Sequence, residues 1–171
     1  MTKYFRLISV ALVCAYFLYY AQTYTEWHFI DNVNLIFHEA GHSIFFWAGE
    51  FFDMAAGTLL QLSIPLFISL YFFAHRQNIS GALCLLWVGQ NLLNVSAYAG
   101  DAIVMQMDLL GGDLVTHDWN YLLSMTGNLE HTPAIATAFY TLGIIFIIVG
   151  TILSMYFAWT TEATKPYRQV I

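Results

Sequence analysis

The chain has 171 residues, of which 59% are hydrophobic, 18% aromatic and 9% charged, against roughly 25% charged in an average soluble domain. Its mean hydropathy is +0.63, and its apolar residues gather into runs long enough to cross a bilayer, which excludes a soluble globular fold and indicates a polytopic membrane protein. A net charge of −6 with five Lys or Arg excludes a nucleic-acid binder, because neutralising phosphates requires a basic face.

The length is that of one domain, so residues 1–171 are expected to form a single membrane-embedded unit. Leu7 to Tyr24 is uncharged and follows Lys3 and Arg6. It reads as a first membrane helix rather than a secretory leader. Tyr16, Tyr19, Tyr20, Tyr24 and Trp27 give its far end an interfacial aromatic belt, and the small residues of a cleavage site are poorly arranged. Residues 29–52 are apolar but interrupted by Asp31, His38, Glu39, His42 and Glu50; residues 57–74 carry no charge, 79–107 carry only Asp101, and 133–159 carry none. Each is long enough to span. Between the last two lies the long loop 108–132, with four carboxylates, His117 and His131 but no Lys or Arg. Cys14 and Cys84 both fall in apolar runs and form no spaced metal or redox motif, so they are expected as buried thiols.

Positive charge orients such a chain, since cytoplasmic loops collect Lys and Arg. If all five segments crossed, Lys3 and Arg6 would oppose Arg76, Lys165 and Arg168. If 29–52 enters and leaves on one face, all five basic residues share the cytoplasmic side. The expected fold is therefore an all-α integral membrane bundle of four to five membrane helices, with the 29–52 helix dipping rather than spanning. Both termini are expected in the cytoplasm, in the plasma membrane, with the acidic loop outward.

His38-Glu39-Ala40-Gly41-His42 is an H-E-x-x-H pattern. Residues four apart lie on one helix face, so two imidazoles can share one zinc ion. Glu39 can then take a proton from a zinc-bound water, whose pKa falls from about 15.7 to about 7. Two histidines and a glutamate inside an apolar segment are costly and point to function.

A catalytic zinc takes three protein ligands and leaves one position open. Asp101 is the expected third ligand: it is the sole charge of its segment and continues a helical stripe with Asn91, Asn94 and Tyr98. At about 1.5 Å per helical residue, Asp101 lies about 9 Å from the end of its segment and His38 about 13 Å from the start of its own. Those depths agree if both ends lie on one face. His117, Asp118 and His131 are the alternatives, with His117 next in line; the competing expectation for all three is a solvated loop. Tyr98 or Asn94 could donate to the oxyanion of the reaction, or simply pack. Gln61, four before Pro65, could meet an unwound substrate strand or accompany a kink. Glu50 is expected as a surface or loop carboxylate, and His28 and His75 as interfacial.

On His38, Glu39, Gly41 and His42, with Asp101 in a later segment, the chain resembles the site-2-protease-type intramembrane zinc metalloproteases. The likeness covers residues 29–107, the catalytic core, although Asp101 sits between Gly100 and Ala102 rather than in that family's usual Asp-Gly context. It implies His38, His42 and Asp101 as ligands of one Zn2+ ion, Glu39 as general base, and a membrane-embedded protein as substrate. The alternatives are a membrane zinc amidase acting on a lipid, and a non-catalytic metal-binding membrane protein. Contiguous H-E-x-x-H favours the protease.

Overall fold

A computed structural model describes residues 2–110, 112 and 115–161, and among them the regular structure is helical throughout. Helix α1 (Lys3–Gln22) starts at Thr2, whose hydroxyl accepts the Phe5 N–H. Helix α2 (Phe29–Phe45) starts where Asp31 accepts the His28 backbone N–H at 2.8 Å, which satisfies one of the orphan donors of a first helical turn.

The run expected at 29–52 is divided. A short 3-10 turn (Phe46–Ala48) follows α2, and the chain then reverses at Gly49, whose φ of +95° suits a residue without a Cβ. Glu50–Phe52 therefore open helix α3 (Glu50–Ala74), where the exposed Glu50 carboxylate sits favourably in the first turn.

Helix α4 (Asn78–Gly100) also ends earlier than the expected 79–107. Asp101 is its C-terminal cap, and the carboxylate accepts the Gln106 and Met107 backbone N–H groups, each at 2.9 Å. That closes the turn that takes the chain off the helix. The expected loop holds helix α5 (Asp118–Met125) and a 3-10 turn (Leu129–His131) before helix α6 (Thr132–Thr160).

Helix α4 is the centre of the bundle, packed against α1, α3 and most extensively α6. The buried face of α6 is Gly143, Ile147, Gly150, Ser154 and Ala158, a stripe of mainly small residues at helical spacing that lets two backbones approach. A Cβ on Gly89 would stand 2.7 Å from the Gly143 carbonyl oxygen, and one on Gly143 would stand 2.9 Å from that of Gly89. The outward faces stay apolar, with Leu12, Phe67, Ile148 and Ile152 all exposed. Cys14 is buried and Cys84 half-buried.

Helices α1, α3 and α4, and the segment 129–160, are long and apolar enough to cross a membrane; α2 is not among them. With 17 residues, α2 is only about 26 Å long. The start of α1 meets the end of α6: buried Arg6 donates to the Ala158 and Thr161 carbonyls, and Lys3 lies over the Trp159 ring. The chain's long helices therefore run an even number of lengths between those points, as α1, α3, α4 and α6 do. Arg76, between α3 and α4, falls at that same end, while Lys165 and Arg168 lie outside the described residues.

Candidate metal centre

The centre forms at the opposite end, where α4 stops and α6 begins. Helix α2 places His38 and His42 one turn apart, with ring centroids separated by 4.9 Å. Both Nε2 atoms face the same oxygen of Asp118, His38 at 2.8 Å and His42 at 3.3 Å. One ligand atom from each of the three residues lies within 4.8 Å of the others. Asp118 is the first residue of α5 and is buried, delivered by the loop rather than by a long helix.

Asp101 does not join this group. Its oxygens cap the turn after α4, and its remaining neighbour is His117 Nε2 at 3.5 Å. The expected triad of His38, His42 and Asp101 is thus replaced by His38, His42 and Asp118. The depth comparison also loses its premise, because Asp101 marks a helix end rather than a position within one. His117, next in line at the sequence level, is buried but turned elsewhere: Nδ1 accepts the Asn120 N–H at the start of α5, and the ring stacks on Tyr98 with centroids 4.4 Å apart. Burial lowers its pKa, partly offset by Asp101 and Asp118. His131 is exposed beside Glu130. His28 packs on Tyr20 and meets Thr23, while His75 is exposed against Tyr71.

Each imidazole is held from behind. His38 Nδ1 lies 3.2 Å from Gln61 Oε1 and His42 Nδ1 lies 3.3 Å from Asp53 Oδ1. Both partners are acceptors, so both Nδ1 atoms carry hydrogen, and each imidazole in its neutral form has its Nε2 lone pair toward Asp118. A carboxylate oxygen and two imidazole lone pairs that converge repel one another unless a cation lies among them. This is the donor arrangement of a metal site with its outer-shell hydrogen bonds in place. In the metal-free chain a proton serves: the Asp118 hydrogen bond, working against burial, raises the His42 pKa to about 9. Burial would push the Asp118 carboxyl up, but the proximity of His38 and His42 brings it below its usual range.

Close helix crossing makes room for this geometry. A Cβ on Gly41 would stand 2.3 Å from the Ala56 carbonyl oxygen, and one on Gly57 would stand 2.6 Å from His38 Nε2 and 2.7 Å from His42 Nε2. A side chain at either position would force α2 and α3 apart or fill the space in front of the imidazoles. The centre opens into a cavity of about 340 Å3. Glu39 is half-buried and lines it, as do Tyr98 and, toward the mouth, Trp27, Leu109, Leu110 and Val115.

The other expected site residues have defined roles. Tyr98 accepts the Asp118 backbone N–H at 3.2 Å and sets its ring edge against His38. Gln61 Nε2 donates to Asn94 Oδ1 at 2.8 Å, and Asn94 Nδ2 donates to Asp31 Oδ1 at 3.1 Å. Gln61 and Asn94 thus join the hydrogen-bonded framework that meets His38 Nδ1, and both also line the cavity. Pro65 lies within α3 and withholds the N–H that would otherwise bond the Gln61 carbonyl.

Asp53 and Asp31 are the contributors sequence reasoning passed over. A signal for Asp31 was present: Asp31, Asn34, His38 and Gly41 form the buried stripe of α2 at spacings of three, four and three. Asp53 carried no comparable mark, since its approach to His42 depends on the reversal at Gly49.

Compared with models of protein families, with curated proteins and with solved structures, the chain matches none.

Proposed function

We propose that this chain is an intramembrane zinc-dependent protease that hydrolyses peptide bonds of membrane-embedded proteins. The observation that carries the proposal is the convergence of His38 Nε2, His42 Nε2 and an Asp118 oxygen beside Glu39 at the wall of one cavity. Two nitrogens and one carboxylate oxygen suit zinc, and three protein ligands are the complement of a catalytic rather than a closed structural site. When bound, the ion supplies Lewis acidity, lowering the pKa of a coordinated water from about 15.7 to about 7.

The chain's own residues do the rest. Glu39, adjacent to His38, takes the proton of the attacking water and returns it to the departing amine. Tyr98, whose hydroxyl oxygen already accepts from Asp118, retains its own hydrogen to donate to the carbonyl oxygen as charge develops there. The apolar mouth residues Trp27, Leu109, Leu110 and Val115 suit a hydrophobic segment, and the polar floor supplies water that a bilayer excludes. Lys3, Arg6 and Arg76 gather at the end remote from the centre. By the positive-inside rule that end is cytoplasmic, and the cavity opens toward the opposite face.

The test compares wild type with Glu39→Gln in membranes and as purified protein. One zinc per chain is expected in both. A single-span protein should accumulate uncut only with the variant, whose turnover falls at least about 100-fold. Undiminished cleavage by the variant refutes the proposal, and cleavage of a lipid amide instead of a peptide bond redirects it to the amidase.

A further inference from the structure

Beside the metal centre, a line of buried and half-buried side chains runs from α2 through α4 and α3 and back to α2. It starts at Asp31, which is 2% exposed. Four donors surround this carboxylate. Tyr20 Oη, Gln90 Nε2 and Asn94 Nδ2 approach Oδ1 at 2.9, 2.8 and 3.1 Å, and the His28 backbone N–H approaches Oδ2 at 2.8 Å. With three donor groups gathered on it, Oδ1 acts as an acceptor, and this determines the polarity of everything beyond it.

Asn94 must turn its NH2 toward Asp31 and its carbonyl toward Gln61. Gln61 must then turn its NH2 toward Asn94, at 2.8 Å, and its carbonyl toward His38 Nδ1, at 3.2 Å. Facing a carbonyl, Nδ1 must hold the imidazole hydrogen. The Nε2 lone pair is left facing Asp118 and His42. An amide has no such preference by itself: with its ends exchanged, Gln61 would present NH2 to His38, favour the tautomer hydrogenated at Nε2, and block the metal-facing atom.

We infer that Asp31 is a positioning residue for the metal centre, selecting the metal-binding tautomer of His38 through the two amides Asn94 and Gln61. The inference rests on the proposed metal centre and deepens it. It also accounts for a carboxylate placed inside an apolar bundle without Lys or Arg beside it among the described residues, an expensive arrangement that membrane proteins retain for function. His42 has no share in the relay, because its Nδ1 is held by Asp53.

The test is a metal-affinity series on the full chain in detergent, with Zn2+ and Co2+ titrated against a chromophoric chelator. Asp31→Leu should bind about 10- to 100-fold more weakly, the range of outer-shell substitutions. Asp31→Asn, which can still present an oxygen to Tyr20, Gln90 and Asn94 while giving up the acceptor for the His28 N–H, keeps the relay polarised and should restore binding to within about threefold of wild type. Asn94→Leu cuts the relay while leaving Asp31 three donors; it should match Asp31→Leu and serves if the latter fails to fold.

The decisive comparison is a double-mutant cycle. With Gln61→Leu in place, adding Asn94→Leu or Asp31→Leu should cause no further loss. Additive losses would show that Asp31 acts on packing alone and would overturn the inference, as would wild-type affinity in Asn94→Leu. A wild-type chain that takes up neither metal removes the centre itself, whereas a metal-binding wild type indifferent to Asn94 and Asp31 removes only the relay.

Discussion

The Nε2 atom of His38 stands 2.8 Å from Oδ2 of Asp118, a residue 80 positions later in the chain. This contact ties the loop after α4 to the H-E-x-x-H helix and makes the loop part of the centre. Replacing Asp118 with Ala should therefore reduce zinc from about one ion per chain to near none, read by elemental analysis of purified protein. Full retention would place the third ligand elsewhere.

Asp101 should behave in the opposite way. Asp101→Ala removes the acceptor for the Gln106 and Met107 N–H groups, and each lost bond costs about 1–3 kcal/mol if its donor stays buried, less if water reaches it. A lower melting temperature with unchanged zinc content is expected. Zinc loss without destabilisation would return Asp101 to the ligand set.

Gly57→Ala probes the space in front of the imidazoles. The added methyl would lie 2.6 Å from His38 Nε2 and 2.7 Å from His42 Nε2, so it either fills the space in front of the imidazoles or forces α2 and α3 apart. Metal affinity should fall at least about tenfold while helical content by circular dichroism is preserved. Unchanged affinity would mean that the crossing of α2 and α3 relaxes.

Asp53 holds His42 as Gln61 holds His38. Asp53→Ala frees the His42 ring to rotate and should weaken metal binding about 10- to 100-fold in a chelator competition. Asp53→Asn, which keeps an acceptor oxygen, should lose less. Equal losses in the two variants would assign the effect to charge rather than to ring orientation.

Removing the metal should loosen the loop. A ligand that binds only the folded chain, present at 100 times its dissociation constant, adds about 2.7 kcal/mol of stability. Chelation should therefore lower the melting temperature of wild type, and Asp118→Ala should melt identically with and without chelator. A chelator effect that persists in that variant would locate the stabilising metal at another site.

How far the sequence reached depended on the range of the interaction involved. The helical character, the long apolar segments and the pairing of His38 with His42 were legible because they follow from local properties: hydropathy along a run, and a period that brings positions four apart onto one face. The polar stripe through Asn91, Asn94 and Tyr98 was equally visible, but extending it to Asp101 failed because α4 stops at Gly100. Hydropathy does not mark where a helix ends when the following residues remain apolar; the cap does, and here the cap is Asp101 itself. The carboxylate that meets the two imidazoles was beyond local reasoning for a related cause. Asp118 reaches the imidazoles only because α5 folds back over α3 and α2, and His117, its immediate neighbour, is turned toward Asp101 and Tyr98 instead. The direction of His38 required still more of the tertiary structure, since it is passed from Asp31 through α4 and α3 by side chains that meet only in the packed bundle. Local periodicity determined which residues share a helix face, whereas long-range packing decided which carboxylate faces them and which nitrogen they present.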